Sequence, residues 1–235
     1  IKVLRLFAKK VAITVPESAR FFRDGQSVVT GYPLRSAFLQ VDREQALAHF
    51  DLDPSRKTLL VAGGSRGSRA INIIIGDILS QLLDEGIQLI HLTGTLDWER
   101  TQEQIGSLRE HPNYHAYDYL HEGMPLAYAA ADLIVCRAGA SILGEFPHFR
   151  LPSILIPLAY SWRYQQVNAD YLAERGAAIH LDEANAPEQL LPTIVDLIHN
   201  PARLTAMQGA VSGAARQDGA SNVAEVLAQL ARERS

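Results

Sequence analysis

The stretch Leu59-Leu60-Val61-Ala62-Gly63-Gly64-Ser65-Arg66-Gly67-Ser68-Arg69-Ala70-Ile71-Asn72 constrains the fold more than any other. An apolar run meets a pair of glycines, a serine, an arginine and another glycine, and a helix-like pattern comes next. That is the order strand, tight turn, helix start. Glycine lets the backbone bend sharply and approach a ligand with no Cβ in the way. The unpaired N–H groups of a helix start, with the helix dipole behind them, favour an anion. Gly64, Ser65, Arg66 and Gly67 therefore read as a diphosphate cradle, Ser65 adding a hydroxyl donor and Arg66 a charge. The Gly-Gly-x-x-Gly spacing is neither the dinucleotide fingerprint nor the P-loop. By itself it also suits an ordinary strand-to-helix turn of a doubly wound sheet.

The rest of the chain supplies that sheet. Leu133-Ile134-Val135-Cys136 is fully apolar and suits a buried central strand. Further strands read at 87–92, 153–157 and 177–181, and Tyr114–Leu120 fits a strand running into a loop. Helices read at 37–52, 69–84, 98–110, 124–131, 164–174, 187–199, 201–216 and 221–234. In the second of these, Ile71, Ile74, Ile75, Ile78, Leu79 and Leu82 fall at helical spacing. A further helix runs from Ser141 through Glu145 and is expected to be cut short by Pro147. Five strands alternating with helices imply an α/β fold, a Rossmann-like open parallel sheet. In such sheets ligands sit outside the carboxyl ends of the strands. Ser65, Thr93, Leu120, Arg137 to Ser141 and the Pro157 loop all fall there.

Residues 1–31 have a different character. Short strands at 9–15 and 27–30 flank a turn and a brief helix from Pro16. They cannot bury a core alone, so they need a sheet from elsewhere or must lean on the residues C-terminal to them. The expected division is 1–31 as the remnant of a preceding domain and linker, and 32–235 as the Rossmann-like domain. The first residue is Ile and no signal-peptide pattern comes after it, which suits a fragment starting inside something larger.

Composition narrows the function. The chain has 235 residues, of which 47% are hydrophobic and 20% charged, so a packed globular core is expected. A net charge of −4 argues against a general nucleic-acid binder. The lone cysteine, Cys136, offers neither disulfide nor metal cluster and suits a reducing compartment. No apolar stretch reaches the ~18 residues of a membrane span. The histidines show no metal-ligand spacing, and no cofactor or metal site is expected.

Several stretches together resemble one family. Gly63-Gly64-Ser65-Arg66-Gly67-Ser68-Arg69-x-x-Asn72 resembles the phosphate loop of the MurG-type N-acetylglucosaminyltransferases of peptidoglycan synthesis. Cys136-Arg137-Ala138-Gly139-Ala140 followed by Glu145 resembles their second glycine motif. Gln165-x-x-Asn168-Ala169 resembles the end of the third, and Thr30-Gly31-x-Pro33-x-Arg35 the linker into their C-terminal domain. Order and spacing agree over roughly residues 9–230.

The resemblance implies the C-terminal, donor-binding half of a GT-B glycosyltransferase. Such an enzyme is an inverting hexosyltransferase that carries N-acetylglucosamine from UDP-N-acetylglucosamine to undecaprenyl-linked lipid I. It works in the cytoplasm, peripherally on the inner face of the bacterial membrane. The acceptor groove, the membrane-facing patch and the catalytic base would belong to the N-terminal half, so this chain is expected to bind donor without turnover. The loop around Ser65 would hold the diphosphate, and Glu145 would accept hydrogen bonds from the ribose hydroxyls. Leu120 would meet the uracil through its backbone. Gly139, Ala140 and Ser141 would face the donor, and Gln165 and Asn168 would reach the sugar or its phosphates, Asn168 equally suiting a loop tether. Arg35 would sit near the cleft, in contact with phosphate or in an inter-domain ion pair, and Arg137 suits a loop tether. With no carboxylate cluster evident for a metal, helix N-termini and neutral donors would have to stabilise the leaving UDP.

The chain departs from the family pattern at several positions. Tyr32 stands where Asn is usual and Ala138 where Ser is common. Ser141 and Ile142 replace a pair ending in Thr, and Tyr164 stands where His or Gln is usual. Pro147-His148-Phe149-Arg150 replaces a small, Gly-containing helix end. Losing the Thr hydroxyl at Ile142 would cost about 1 kcal/mol if a ligand used it. The alternatives are a stand-alone donor-binding subunit docking to a separate acceptor subunit, and another GT-B UDP-sugar enzyme.

Overall fold

A computed structural model describes residues 6–64, 67–158, 164–214, 216 and 218–233. Strands β1 (Val11–Ile13) and β2 (Ser27–Val29) pair in parallel as a small separate sheet, joined by a 3₁₀ turn at Pro16–Phe21. A second 3₁₀ turn, Ser36–Gln40, precedes α1 (Arg43–His49). Next come β3 (Thr58–Ala62), α2 (Arg69–Asp84), β4 (Gln88–Leu92), α3 (Trp98–Ile105), β5 (Tyr114–Tyr117) and α4 (Met124–Ala130). The chain continues through β6 (Leu133–Cys136), α5 (Ile142–Phe149), β7 (Ser153–Leu155), α6 (Tyr164–Ala173) and β8 (Ala178–His180). Helices α7 (Ala186–Ile198), α8 (Pro201–Ser212) and α9 (Gly219–Arg232) close it.

Strands β3 to β8 form one sheet in the order β5-β4-β3-β6-β7-β8, every pairing parallel. This is the doubly wound order, with its reversal between β3 and β6. The sheet has six strands rather than the expected five. Tyr114–Tyr117, read as running into a loop, is a full edge strand registered on Leu89–Leu92.

Alternation along β3 explains both layers. Leu60 and Ala62 face one core with Phe38, Phe50 and Phe146, while Leu59 and Val61 face the other with Ile71, Ile75 and Leu79. A strand buried on both faces cannot alternate with polar residues, which is why β3 and β6 are continuously apolar beyond Thr58. At the amino ends of the strands, buried Asp132 accepts from Arg43 (2.9 Å), Lys57 (3.1 Å) and the Thr58 N–H (2.9 Å). That cluster fixes the β3–β6 pair and leaves the carboxyl ends for a site.

Several local expectations are corrected. Helix 37–52 is a 3₁₀ turn and a short helix, because Asp42 caps α1 by accepting from the Gln45 N–H (2.9 Å). Helix 98–110 breaks at Gly106, whose φ of 58° leaves the α region, and ends as a 3₁₀ turn. Pro147 does not stop α5, which runs on to Phe149. Only one backbone bond is lost, and buried Leu143 and Phe146 hold the helix to the core.

The first strands lean on the C-terminal part of the chain. The Arg216 guanidinium donates to the Val29 carbonyl (2.9 Å) and the Asn222 amide to the Thr30 carbonyl (2.8 Å). Glu17 pairs with Arg175, and Val15 enters the core around Phe38.

Candidate functional site

A cleft of about 860 Å³ opens at the carboxyl ends of β3, β4, β5 and β6, at the point where the strand order reverses. Its size suits a ligand larger than a nucleoside. The starts of two helices line it: Ser68, just before α2, with Arg69 and Ala70, and Ser141, just before α5, with Ile142 and Glu145. Two helix N-termini facing one cavity make an electropositive wall without any side-chain charge.

The turn after β3 is built by packing. The Gly67 N–H closes on the Gly64 carbonyl (2.9 Å). Gly67 has φ +76°, and a Cβ on it would lie 2.0 Å from the Thr93 carbonyl oxygen. No larger residue fits, so the loops after β3 and β4 lie against each other. Gly139, after β6, is different: a Cβ there would meet nothing within 4 Å among the described residues. No contact with a described residue demands that glycine, and Gly139 lines the cleft.

Glu145 of α5 lines the same cleft. Its Oε2 accepts from the Tyr128 hydroxyl (3.0 Å), and both residues line the cleft. Burial first, and the Glu145 carboxylate second, push the Tyr128 hydroxyl well above its usual range. It therefore keeps its proton and remains the donor. The Cys136 thiol at the cleft floor is raised for the same two reasons and stays protonated.

Of the residues singled out in the sequence, Arg35, Gly64, Gly67, Leu120, Gly139, Ser141, Glu145 and Gln165 line this one cleft. Ser65 and Arg66 lie outside the described residues. Asn168 is set apart because its amide donates to the Ala138 carbonyl (3.0 Å), which tethers the loop before Gly139. Ala140 is exposed beside the cleft and is not one of its lining residues. Gln165 spends its carbonyl oxygen on the Leu158 N–H (2.9 Å). Arg35 stacks its guanidinium over the Phe38 ring, 5.1 Å from the centroid. Arg137 donates to the Ile156 carbonyl (3.0 Å) and pairs with Glu183, and both line the cleft.

The departures fall around the same place. Ile142 is 4% exposed and packs into the core. The Tyr32 side chain sits where a Cβ on Gly144 would fall, 2.4 Å from it. Tyr164 is exposed at the start of α6.

Sequence reasoning missed Ser68, Tyr128 and Glu183. Ser68 is buried at the start of α2, and its hydroxyl has no hydrogen-bond partner among the described residues. Its place just before the helix was the available signal. Nothing local marks Tyr128 or Glu183, which reach the cleft by tertiary packing. Among the described residues no group of His, Cys, Asp and Glu is placed to hold a metal ion. No helix among them is long and apolar enough to cross a membrane.

Comparison with known proteins gives a consistent result. The model of the glycosyltransferase family 28 C-terminal domain matches residues 58–223. A curated relative from Halalkalibacterium halodurans is 38% identical over 99% of this chain and 63% of its own length. Its name is UDP-N-acetylglucosamine–N-acetylmuramyl-(pentapeptide) pyrophosphoryl-undecaprenol N-acetylglucosamine transferase. The crystal structure of Acinetobacter baumannii MurG superposes with a TM-score of 0.75 at 25% identity, covering 97% of this chain and 63% of that one. The calicheamicin glycosyltransferase CalG4 shares the fold, with a TM-score of 0.68 at 18% identity over 97% of this chain and 55% of its own. The chain thus spans under two thirds of the length of each of these proteins.

Proposed function

The chain belongs to the glycosyltransferase family 28 C-terminal domain family, and from that membership we propose that it binds the nucleotide-sugar donor of an inverting N-acetylglucosaminyltransferase of peptidoglycan synthesis. The observation that carries the reading is the convergence of two helix N-termini and the Glu145 carboxylate on one cleft. A nucleoside diphosphate sugar offers the complementary groups: a diphosphate for the helix ends, vicinal ribose hydroxyls for a carboxylate, and a base for backbone polar groups.

In this reading the diphosphate lies against Gly64, Gly67 and the first turn of α2. The ribose hydroxyls donate to Glu145, whose geometry Tyr128 fixes. The uracil meets the backbone near Leu120, and the N-acetylglucosamine extends past Gly139 and Ser141 toward Gln165, with Arg35 at the cleft edge. As the sugar leaves, negative charge grows on UDP. Preorganised N–H groups aimed at that charge stabilise it more than they stabilise the bound donor.

The acceptor is lipid I, met at the inner face of the membrane through the part of the enzyme that lies outside residues 32–235 and of which 1–31 is a remnant. The groove for the acceptor, the base and the closing wall of the cleft come from there, so this chain binds UDP-N-acetylglucosamine and does not transfer from it. Incubation with radiolabelled UDP-N-acetylglucosamine and lipid I tests the division. The expected result is retained label with no lipid product; lipid II formed by this chain alone contradicts it.

A further inference from the structure

Beneath the turn after β3 lies a row of buried polar side chains with no place among the residues lining the cleft. The Asn72 side-chain amide donates to the Thr93 carbonyl (2.8 Å). Its Oδ1 is then an acceptor, 3.1 Å from His91 Nε2, so that nitrogen carries the hydrogen. The bare Nδ1 must accept, and the Tyr114 hydroxyl lies 2.9 Å away to donate. The direction runs one way, from the edge strand β5 through β4 and the first turn of α2 to the end of β4. Relative exposures are 4% for Tyr114, 0% for His91 and 2% for Asn72, so water does not compete. Burial lowers His91 to about 3 and raises the Tyr114 hydroxyl, so neither group gains or loses a proton near neutral pH.

The row ends on the same carbonyl oxygen against which Gly67 is seated, 2.0 Å from where its Cβ would be. Where that oxygen sits sets how deeply Gly67, and the turn it closes, can settle. Asn72 itself rides on α2, whose N-terminus faces the cleft. An apolar trio would fill the volume without demanding any orientation, since replacing both partners of a buried hydrogen bond by apolar groups is close to neutral. What the polar set adds is a fixed position for one carbonyl and one helix end.

We infer that Tyr114, His91 and Asn72 form a directional relay that positions the diphosphate-binding turn, His91 being a positioning residue for the donor phosphates that does not touch them. The inference rests on the donor-site reading above. It makes a selective prediction: disturbing the relay weakens recognition of the diphosphate and leaves recognition of the nucleoside alone.

The test is titration of the chain and its variants with UDP and with uridine. In His91→Leu, Asn72 Oδ1 loses its donor, and UDP affinity is expected to fall about tenfold while uridine affinity stays within about twofold. His91→Gln keeps an amide N–H for Asn72 and is expected to recover UDP affinity to within about threefold. Tyr114→Phe, which removes one hydroxyl, is expected to lose about threefold for UDP and nothing for uridine; it carries the comparison if His91→Leu does not fold. Equal losses for UDP and uridine, or no loss for either, overturn the relay while the donor site stands. Failure of the unaltered chain to bind UDP overturns the donor site and the relay with it.

Discussion

The Tyr128 hydroxyl donates to Glu145 Oε2 over 3.0 Å, across the gap between α4 and α5, and the carboxylate so oriented faces the cleft. One oxygen is committed within the protein, and the carboxylate retains lone pairs for two adjacent hydroxyls. Glu145→Ala is expected to weaken UDP about 10- to 100-fold, the range for loss of hydrogen bonds to a charged group. Tyr128→Phe, which keeps the charge and loosens its orientation, is expected to cost about threefold. Calorimetry with UDP and 2′-deoxy-UDP checks both: the deoxy analogue should lose less than UDP when Glu145 is removed.

Gly67→Ala sets a methyl group 2.0 Å from the Thr93 carbonyl oxygen at a φ of +76°. Either the turn after β3 or the end of β4 must move, and left-handed backbone adds about 1 kcal/mol for a non-glycine residue. A lowered melting temperature together with loss of UDP binding is the expected outcome. Gly139→Ala meets no atom of the described residues within 4 Å, so it should leave the melting temperature unchanged and reduce UDP affinity by intruding on the ligand. Unaltered affinity in Gly139→Ala would show that the open side faces no ligand.

Ser68→Ala separates binding from folding by opposite signs. Its buried hydroxyl has no partner among the described residues, and an unmet polar group carries its desolvation cost for nothing in the free protein. Removing it should leave the melting temperature equal or higher, while UDP affinity falls about fivefold if the hydroxyl bonds a phosphate oxygen. A lowered melting temperature with unchanged affinity would make Ser68 a structural residue only.

Acid should weaken the fold well above the carboxylate range. His91 is held near 3 by burial against an ordinary value of 6.5. A histidine depressed in the folded state is neutral there and protonated in the unfolded chain. The unfolded state therefore takes up the extra proton as pH falls, and stability declines below about pH 6.5, by up to ~1.4 kcal/mol per pH unit for one proton. His115 acts in the same direction, lowered by burial against the opposing charge of Asp51. Asp53 and Glu233 are lowered carboxylates, held down by Ser55 and Lys9 respectively, so their contribution is lost only at more acid pH, below ordinary values of 3.8 and 4.5. Urea denaturation between about pH 7.5 and 5 should show the decline. His91→Gln should flatten it, leaving the His115 part; an unchanged slope would contradict the assignment.

Much of this architecture is legible in the sequence because burial on both faces leaves a strand no choice. Leu133–Cys136 and Leu59–Ala62 announce a central parallel pair, and the glycine turn between β3 and α2 announces where a ligand would sit. Element ends are less legible. The Asp42 cap and the Gly106 break are single-residue decisions inside longer helical readings, and the survival of α5 past Pro147 depends on tertiary packing of Leu143 and Phe146. Around the cleft, residues on the strand-end loops could be named, because a parallel sheet gathers those loops at one edge. Tyr128 and Glu183 could not, since they arrive from a helix face and a loop after β8 that carry no local mark. Asn168 shows the converse. A spacing that suits ligand contact equally suits a tether, and only the 3.0 Å bond to the Ala138 carbonyl assigns the amide.

Every role proposed for Glu145, Gly67 and Ser68 requires that this cleft hold a uridine diphosphate sugar. Calorimetric titration of the chain with UDP-N-acetylglucosamine, with UDP-glucose beside it and UDP as competitor, tests it most directly. The expected result is saturable one-to-one binding displaced by UDP and tighter for UDP-N-acetylglucosamine than for UDP-glucose. Absence of saturable binding by UDP-N-acetylglucosamine and by UDP would contradict it.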